Sequence, residues 1–208
     1  GVRRTLFGTE RNADVQAVDI YNGPKGCACT VGGFRLSSVC QGQHLVYSML
    51  PAYAIGKELG LSDAEIARGV AAFAPLAGRG NIVKGPRCTV IDHTYNANPS
   101  STKAALASLA AMSGRKVAVL GDMYELGEDS RELHREVGRS GKEAAQLVIA
   151  VGELARDIRA GADCPWFPTV DEAIAALDSL IRPGDTVLVK ASNAMKLGRI
   201  VQALQELE

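Results

Sequence analysis

From Cys88 onward the apolar positions fall into two alternating registers. Short aliphatic and β-branched runs at 88–92, 116–120, 147–151 and 186–190 read as buried strands. The stretches between them, 100–112, 130–145, about 153–160 and 171–181, carry apolar residues at helical spacing. A short strand is predicted near Trp166 and a last helix over 195–207. Strands alternating with helices predict an α/β fold with a mostly parallel sheet, helices on both faces and right-handed crossovers. In such a sheet the connections leaving the strands share one edge. The loops 92–98, 121–126 and 191–193 are therefore expected to gather in one crevice.

The first third has a different pattern. Residues 2–39 read as β structure, with turn signals at Asn22-Gly-Pro and Gly32-Gly between short alternating runs. Gln41-Gly-Gln-His44 leads into a helix over 45–59, with Val46, Met49, Leu50, Tyr53, Ala54 and Leu59 at helical spacing. Pro51 lies inside it, which predicts a kink or a late start. Gly60 is placed to close it. Ser62-Asp-Ala-Glu65 has the spacing of a capping box and starts a second helix through Phe73. Residues 75–80 read as a loop and 82–84 as a short strand. Gly85-Pro86 is the expected joint, giving two domains, 1–84 and 85–208. No repeat and no low-complexity segment interrupts either.

Composition narrows the classes. The formal net charge is zero and the basic residues are scattered, which argues against a nucleic-acid surface. Cys27, Cys29, Cys40, Cys88 and Cys164 include no C-x-x-C pair. They read as reduced thiols of a cytoplasmic protein, and no metal site is expected from them. No apolar run reaches membrane-spanning length and no signal peptide is visible. The chain opens on Gly1-Val-Arg-Arg without an initiator Met, so a piece of a longer protein is expected.

The densest chemistry lies in Thr89–Thr102. A strand ends in a loop carrying Asp92, His93, Tyr95, Asn96 and Asn98, and Pro99 then opens a helix that Ser100 or Ser101 could cap. A carboxylate, two carboxamides, a phenol and an imidazole exceed what a connector needs. Asn residues that only satisfy backbone groups would leave the same trace. Asp122 and Glu125 in the next loop could orient an amine or take its proton. Lys190 at the end of the last strand could neutralise a carboxylate or phosphate, or be a solvated strand end. His134 reads as a surface residue of its helix. The sequence contains neither G-x-x-x-x-G-K-[ST] nor G-x-G-x-x-G, so no triphosphate cradle is expected within it.

Four segments together resemble the Mur ligase family. Asp92-His-Thr-Tyr-Asn-Ala-Asn-Pro99 is similar to its D-D-S-Y-N-A-N-P signature. Val119-Leu-Gly-Asp-Met-Tyr-Glu-Leu-Gly-Glu128 is similar to V-L-G-D-M-L-E-L-G-E. His134-Arg-Glu-Val-Gly138 resembles H-x-E-V-G, and Val187-Leu-Val-Lys-Ala-Ser192 resembles V-L-V-K-G-S. Arg79, in Ala77-Gly-Arg, matches the arginine of a P-G-R segment. The likeness is to the branch that adds D-alanyl-D-alanine to a nucleotide-linked muramoyl tripeptide in peptidoglycan synthesis.

The resemblance implies a C-terminal Rossmann-like domain that binds the incoming substrate, preceded by the tail of a central ATPase domain. It implies ATP and Mg2+ as cofactors, with the metal ligands and the missing N-terminal and central domains upstream, and small-molecule substrates as partners. By the same likeness Asp92, Asn96 and Asn98 are expected at the catalytic centre. His44, Arg79, His93, Tyr95 and Pro99 are expected along the nucleotide. Asp122, Glu125, Lys190, Ser192 and Asn193 are expected around the incoming amine. The sequence departs from the family at three places. His44-Leu-Val-Tyr-Ser48 stands where H-N-x-x-N is usual, His93 replaces the second Asp of D-D-S, and Ser192-Asn193 replaces S-R. An imidazole cannot copy a carboxylate that accepts hydrogen bonds. These changes leave two alternatives beside the peptidoglycan reaction. One is a synthetase of methanogens that closes a carbocyclic ring of a nickel tetrapyrrole, and the other is a non-catalytic binding module.

Overall fold

A computed structural model describes residues 4–23, 26–39, 45–73 and 76–208. The chain divides into two compact units, Gly1–Pro75 and Leu76–Glu208. The first unit contains a two-stranded parallel pair, β1 (Phe7–Gly8) and β2 (Val15–Gln16), and an antiparallel sheet of β3 (Val18–Gly23), β4 (Gly26–Val31) and β5 (Phe34–Ser38). Two helices follow, α1 (Val46–Glu58) and α2 (Asp63–Ala72). Their core packs Cys27, Cys29, Val31 and Leu36 of the sheet against Val46, Met49, Leu50, Tyr53 and Ile66. The Gly32-Gly33 turn, with both residues at positive φ, joins β4 to β5 as expected. The Ser62 capping box forms: Ser62 Oγ accepts from Glu65 N, and Glu65 Oε2 accepts from Ser62 N at 2.8 Å. Gln41–His44 and Cys40 lie outside the described residues.

The second unit is one six-stranded sheet. Its strands are β6 (Asn81–Lys84), β7 (Cys88–His93), β8 (Lys116–Gly121), β9 (Leu147–Val151), β10 (Trp166–Phe167) and β11 (Asp185–Lys190), in the order β10-β9-β8-β11-β7-β6. All neighbours are parallel except β6, which runs antiparallel on the edge. Because β6 pairs with β7, the unit boundary falls ahead of the Gly85-Pro86 joint expected from sequence; that dipeptide is the β6–β7 turn, with Gly85 N donating to Cys88 O.

The helices are α3 (Pro99–Ala110), α4 (Ser130–Ala144), α5 (Arg156–Ala162), α6 (Val170–Leu180) and α7 (Gly198–Glu206). The period-two alternation of the strands sorts them to two faces. Val90, Val117, Val119, Val187 and Val189 pack against α6 and α7 through Ala173, Leu177, Ile200 and Leu204. Ile91, Ala118, Leu120 and Leu188 pack against α3, α4 and α5 through Leu106, Leu109, Val137 and Ile158. This is the Rossmann-like, mostly parallel sheet with both faces covered.

Two helices differ from the sequence expectation for local reasons. The helix expected from about 153 starts at Arg156, because residues 152–155 form a turn gripped by Asp122 in the loop after β8. The last helix is preceded by a 3-10 turn, Asn193–Met195, and by Lys196 at φ 53°, so α7 begins only at Gly198.

Candidate functional site

Three parallel neighbours, β8, β11 and β7, end on the same edge of the sheet. The chain leaves β7 and β8 for the face of α3 and α4, and leaves β11 for the opposite face. The rim is therefore a topological switch point, where open α/β sheets accommodate ligands. Hydrogen bonds between the loops close the rim. Lys190 Nζ donates to Asn96 O at 2.8 Å, joining the end of β11 to the loop after β7. Ser192 N donates to Asp122 O at 3.0 Å, and Tyr124 N donates to Ser192 Oγ at 3.0 Å, joining the loops after β11 and β8.

The loop after β7 is made by its own short polar side chains. Asp92 Oδ1 accepts from Thr94 N at 3.0 Å and from Thr94 Oγ1 at 2.7 Å. Asn96 Oδ1 accepts from Ala97 N at 2.9 Å. Asn98 is the N-cap of α3: its Oδ1 accepts from Ser101 N at 2.8 Å, while Ser101 Oγ accepts from Asn98 N. This corrects the expected cap. Pro99 is already the first helical residue, so the capping role moves to the residue before it. Tyr95 is half exposed, and the Arg79 guanidinium lies over its ring, 3.7 Å from the centroid. Gly78 makes that approach possible: at φ +78° its missing Cβ would meet Tyr95 N at 2.8 Å. His93 is half-buried at the end of β7, its ring against Gly80. His44 lies outside the described residues.

The loop after β8 is held from a distance. Asp122 is buried, and its Oδ1 accepts from Ala155 N at 2.8 Å in the turn after β9. Burial raises its pKa, opposed by the N–H groups of Ala155 and Leu154. Gly152, at φ +113°, leaves room for that carboxylate; a Cβ there would sit 2.4 Å from Asp122 Oδ1. The next residue is gripped by His134. Met123 N donates to His134 Nε2 at 3.0 Å, and His134 Nδ1 lies 2.6 Å from Ser130 O. An Nε2 that accepts from an amide carries no proton, so the ring is the neutral Nδ1–H tautomer donating to Ser130 O. His134 is fully buried, which corrects its reading as a surface residue. The signal was present in the spacing: His134, Val137, Gly138 and Gly141 form the buried stripe of α4.

This bonding sorts the expected site residues. The side chains of Asp122, Lys190 and Ser192 are buried and engaged within the rim. Burial pushes the Lys190 ammonium down to about 8. Tyr95, Asn96, Asn98, Glu125 and Asn193 are exposed on these loops, and Arg79 is exposed in the turn before β6. Glu125 takes φ 64°, a left-handed conformation rare for a residue with a side chain. Tyr124 is part-exposed, and its Oη donates to Met195 Sδ at 2.9 Å. Burial and the Asp122 carboxylate raise its phenol pKa. The rim thus offers a cation stacked on an aromatic ring, carboxamides, a phenol and a carboxylate. That set suits a polar substrate carrying both charge and amide groups. Among the described residues no three His, Cys, Asp or Glu side chains converge as a metal site would require. A mostly apolar pocket in the first unit is lined by Leu45, Met49, Val70 and Phe73, with Ser38 and Ser48 as its polar members.

Comparison with known proteins places this geometry. Residues 78–193 match the family described as "Mur ligase, glutamate ligase domain", a span that contains all three rim loops. A UDP-N-acetylmuramoyl-tripeptide–D-alanyl-D-alanine ligase of Mycobacterium tuberculosis is 36% identical over 196 residues, covering 80% of this chain and 38% of that protein. A MurF crystal structure from Acinetobacter baumannii superposes with a TM-score of 0.89 at 30% identity, over 96% of this chain and 46% of that one. A MurF ligase structure from Thermotoga maritima in complex with ADP has the same fold, with a TM-score of 0.80 at 22% identity over 97% of this chain and 48% of that one. The chain spans less than half the length of each of these proteins.

Proposed function

Because the chain belongs to the Mur ligase family, we propose that it is the C-terminal part of a cytoplasmic, ATP-dependent ligase that adds D-alanyl-D-alanine to UDP-N-acetylmuramoyl tripeptide. In this reading Leu76–Glu208 is the domain that receives the incoming dipeptide, and Gly1–Pro75 is the tail of the central ATPase domain. The observation that carries it is that the matched span, 78–193, contains every loop of the rim. The relatives reported above are named for the cell-wall reaction, which sets this reading ahead of the tetrapyrrole synthetase and the binding module.

The chemistry has two steps. An oxygen of the tripeptide carboxylate attacks the γ-phosphorus of ATP, and ADP leaves. The amine of the dipeptide then attacks the acyl carbon, phosphate leaves with the former carboxylate oxygen, and the amine proton passes to a base. Arg79 stacked on Tyr95, with His93 and Pro99 near Tyr95 in sequence, would lie along the nucleotide. Asp92, Asn96 and Asn98 would border the reacting groups. Tyr124, Glu125 and Asn193 would meet the incoming dipeptide, supported from below by Asp122, Lys190 and Ser192. Mg2+ would be held by ligands upstream of this chain. It would offset phosphate charge there.

The test is turnover by the full-length protein. Phosphate release is expected only when ATP, UDP-N-acetylmuramoyl tripeptide and D-alanyl-D-alanine are all present. Turnover indifferent to the dipeptide would reject the reading. The 208-residue chain alone, lacking a phosphate loop in its sequence, is expected to release no phosphate from ATP.

A further inference from the structure

We propose that His134 is a positioning residue for the incoming-dipeptide site: from inside α4 it fixes the backbone of Met123, and so aims Tyr124 and Glu125 at the rim. The inference rests on the ligase reading and extends it to a residue that touches no substrate.

The geometry is specific. His134 is fully buried on the face of α4 that packs on the sheet, where Val137 and Gly141 are its apolar neighbours on the same helix. An aliphatic side chain would be the cheaper occupant of such a position, since a buried polar ring must find partners for both nitrogens. Both are used, and both on backbone: Nε2 accepts from Met123 N at 3.0 Å, and Nδ1 donates to Ser130 O at 2.6 Å. The Ser130 bond orients the ring and fixes its tautomer, which leaves Nε2 bare to receive the Met123 amide. The Met123 side chain is itself buried, with Thr102 Oγ1 3.8 Å from its sulfur. Beyond this anchor the chain turns outward. Tyr124 N is caught by Ser192 Oγ, and Glu125 is held exposed at φ 64°. A left-handed glutamate costs about 1 kcal/mol or more, and it persists only where its neighbours are fixed. Met123 and Tyr124 are those neighbours. The arrangement spends a buried imidazole on the placement of two exposed side chains.

The experiment compares the full-length protein with its His134→Leu and His134→Gln variants. Leucine fills the space and removes the acceptor; glutamine Oε1 can still accept from Met123 N. The expected result for His134→Leu is a KM for D-alanyl-D-alanine raised about tenfold, the size of one lost buried hydrogen bond, with the KM for ATP within about twofold. His134→Gln is expected to restore most of the dipeptide KM. Hydrogen exchange read on the same proteins should show the Met123 and Tyr124 amides exchanging at least about tenfold faster in the Leu variant, and near the wild-type rate in the Gln variant. If both KM values rise together, or both variants lose stability equally with the dipeptide KM unchanged, His134 is structural only and the proposal is overturned. If the wild-type protein shows no dipeptide-dependent turnover, the ligase reading has failed. The exchange rates then decide separately whether His134 holds the loop: unchanged rates in the Leu variant overturn that as well.

Discussion

The loops after β7 and β8 flank the end of β11 on one rim and are built on opposite principles. The first is held by bonds that span one to three residues: Thr94 to Asp92, Ala97 to Asn96, Ser101 to Asn98. Its distant supports are Lys190, which donates to Asn96 O, and Gly78, whose carbonyl accepts from Tyr95 N at 3.1 Å. The second is held by bonds that span 11, 33 and 68 residues, from Met123 to His134, Ala155 to Asp122 and Tyr124 to Ser192. A loop folded by its own Asn and Asp side chains carries its shape with it. A loop held by three other elements has a shape only when those elements are assembled. Damage to the second should therefore spread through the sheet, whereas damage to the first should stay local.

Substitutions at four positions test that contrast. The largest effect is expected from Gly152→Ala, where a Cβ would press on Asp122 at a backbone conformation that suits only glycine. A loss of about 3 kcal/mol is expected from strain plus the displaced carboxylate. Denaturant unfolding followed by the fluorescence of Trp166, the single tryptophan, reads it directly, because Trp166 Nε1 donates to Gly152 O. A cost below about 1 kcal/mol would mean that the distant grip is soft.

Asp122 comes next. Asp122→Ala should cost about 2 kcal/mol by leaving the Ala155 amide unpaired, while Asp122→Asn, whose Oδ1 can still accept, should cost almost nothing at neutral pH. The pH dependence fixes the sign. Burial raises the folded pKa of Asp122, so the contribution of this group is greatest below the ordinary carboxylate range and is lost as pH rises through the folded value. Relative to the Asn variant, wild type should therefore lose stability on going from acid to neutral pH. The opposite slope would show that the N–H groups of Ala155 and Leu154 outweigh desolvation.

Asn98→Ala addresses the local loop. Loss of the α3 cap should cost about 1 kcal/mol, and Asn98→Ser should recover it, since serine caps equally well. In the full-length protein, turnover should fall in both variants. Equal losses of turnover and stability in the Ala variant, with full turnover in the Ser variant, would reduce Asn98 to a cap.

The smallest effect is expected at Lys190. Lys190→Met gives up one bond to Asn96 O but also relieves a buried ammonium, so net stability should move by less than about 1 kcal/mol. Here the folded pKa is lowered to about 8, so the group's contribution is present above its unfolded value and is lost as pH falls through about 8. Wild type should gain on the Met variant as pH is raised above 8. A flat difference across that range would place the ammonium in contact with water.

Much of this was legible before any coordinates. Alternation at 117–120 and 187–189 announces strands buried on both faces, because residues one apart must face different helices. Ser62, Gly60 and the Gly32-Gly33 turn act through neighbours within a few positions, and each sits where local chemistry places it. The convergence of three loops on one rim follows from parallel strands alone. Which polar residues of that rim face outward was not legible. Asp122, Lys190 and Ser192 are as polar as Glu125 and Asn193, yet the first three turn inward. His134 looked like one more polar position on a polar helix.

The sequence by itself therefore determined the elements, their alternation and the edge on which the chemistry collects, because periodicity, capping and turn formation act over a few residues. Only the tertiary structure decided which side chains remain available to a ligand and which are consumed in holding the rim. That choice depends on partners brought close by folding, such as Ala155 for Asp122 and Met123 for His134, and a buried polar group keeps whatever partner it finds there because the alternative is to be left unpaired.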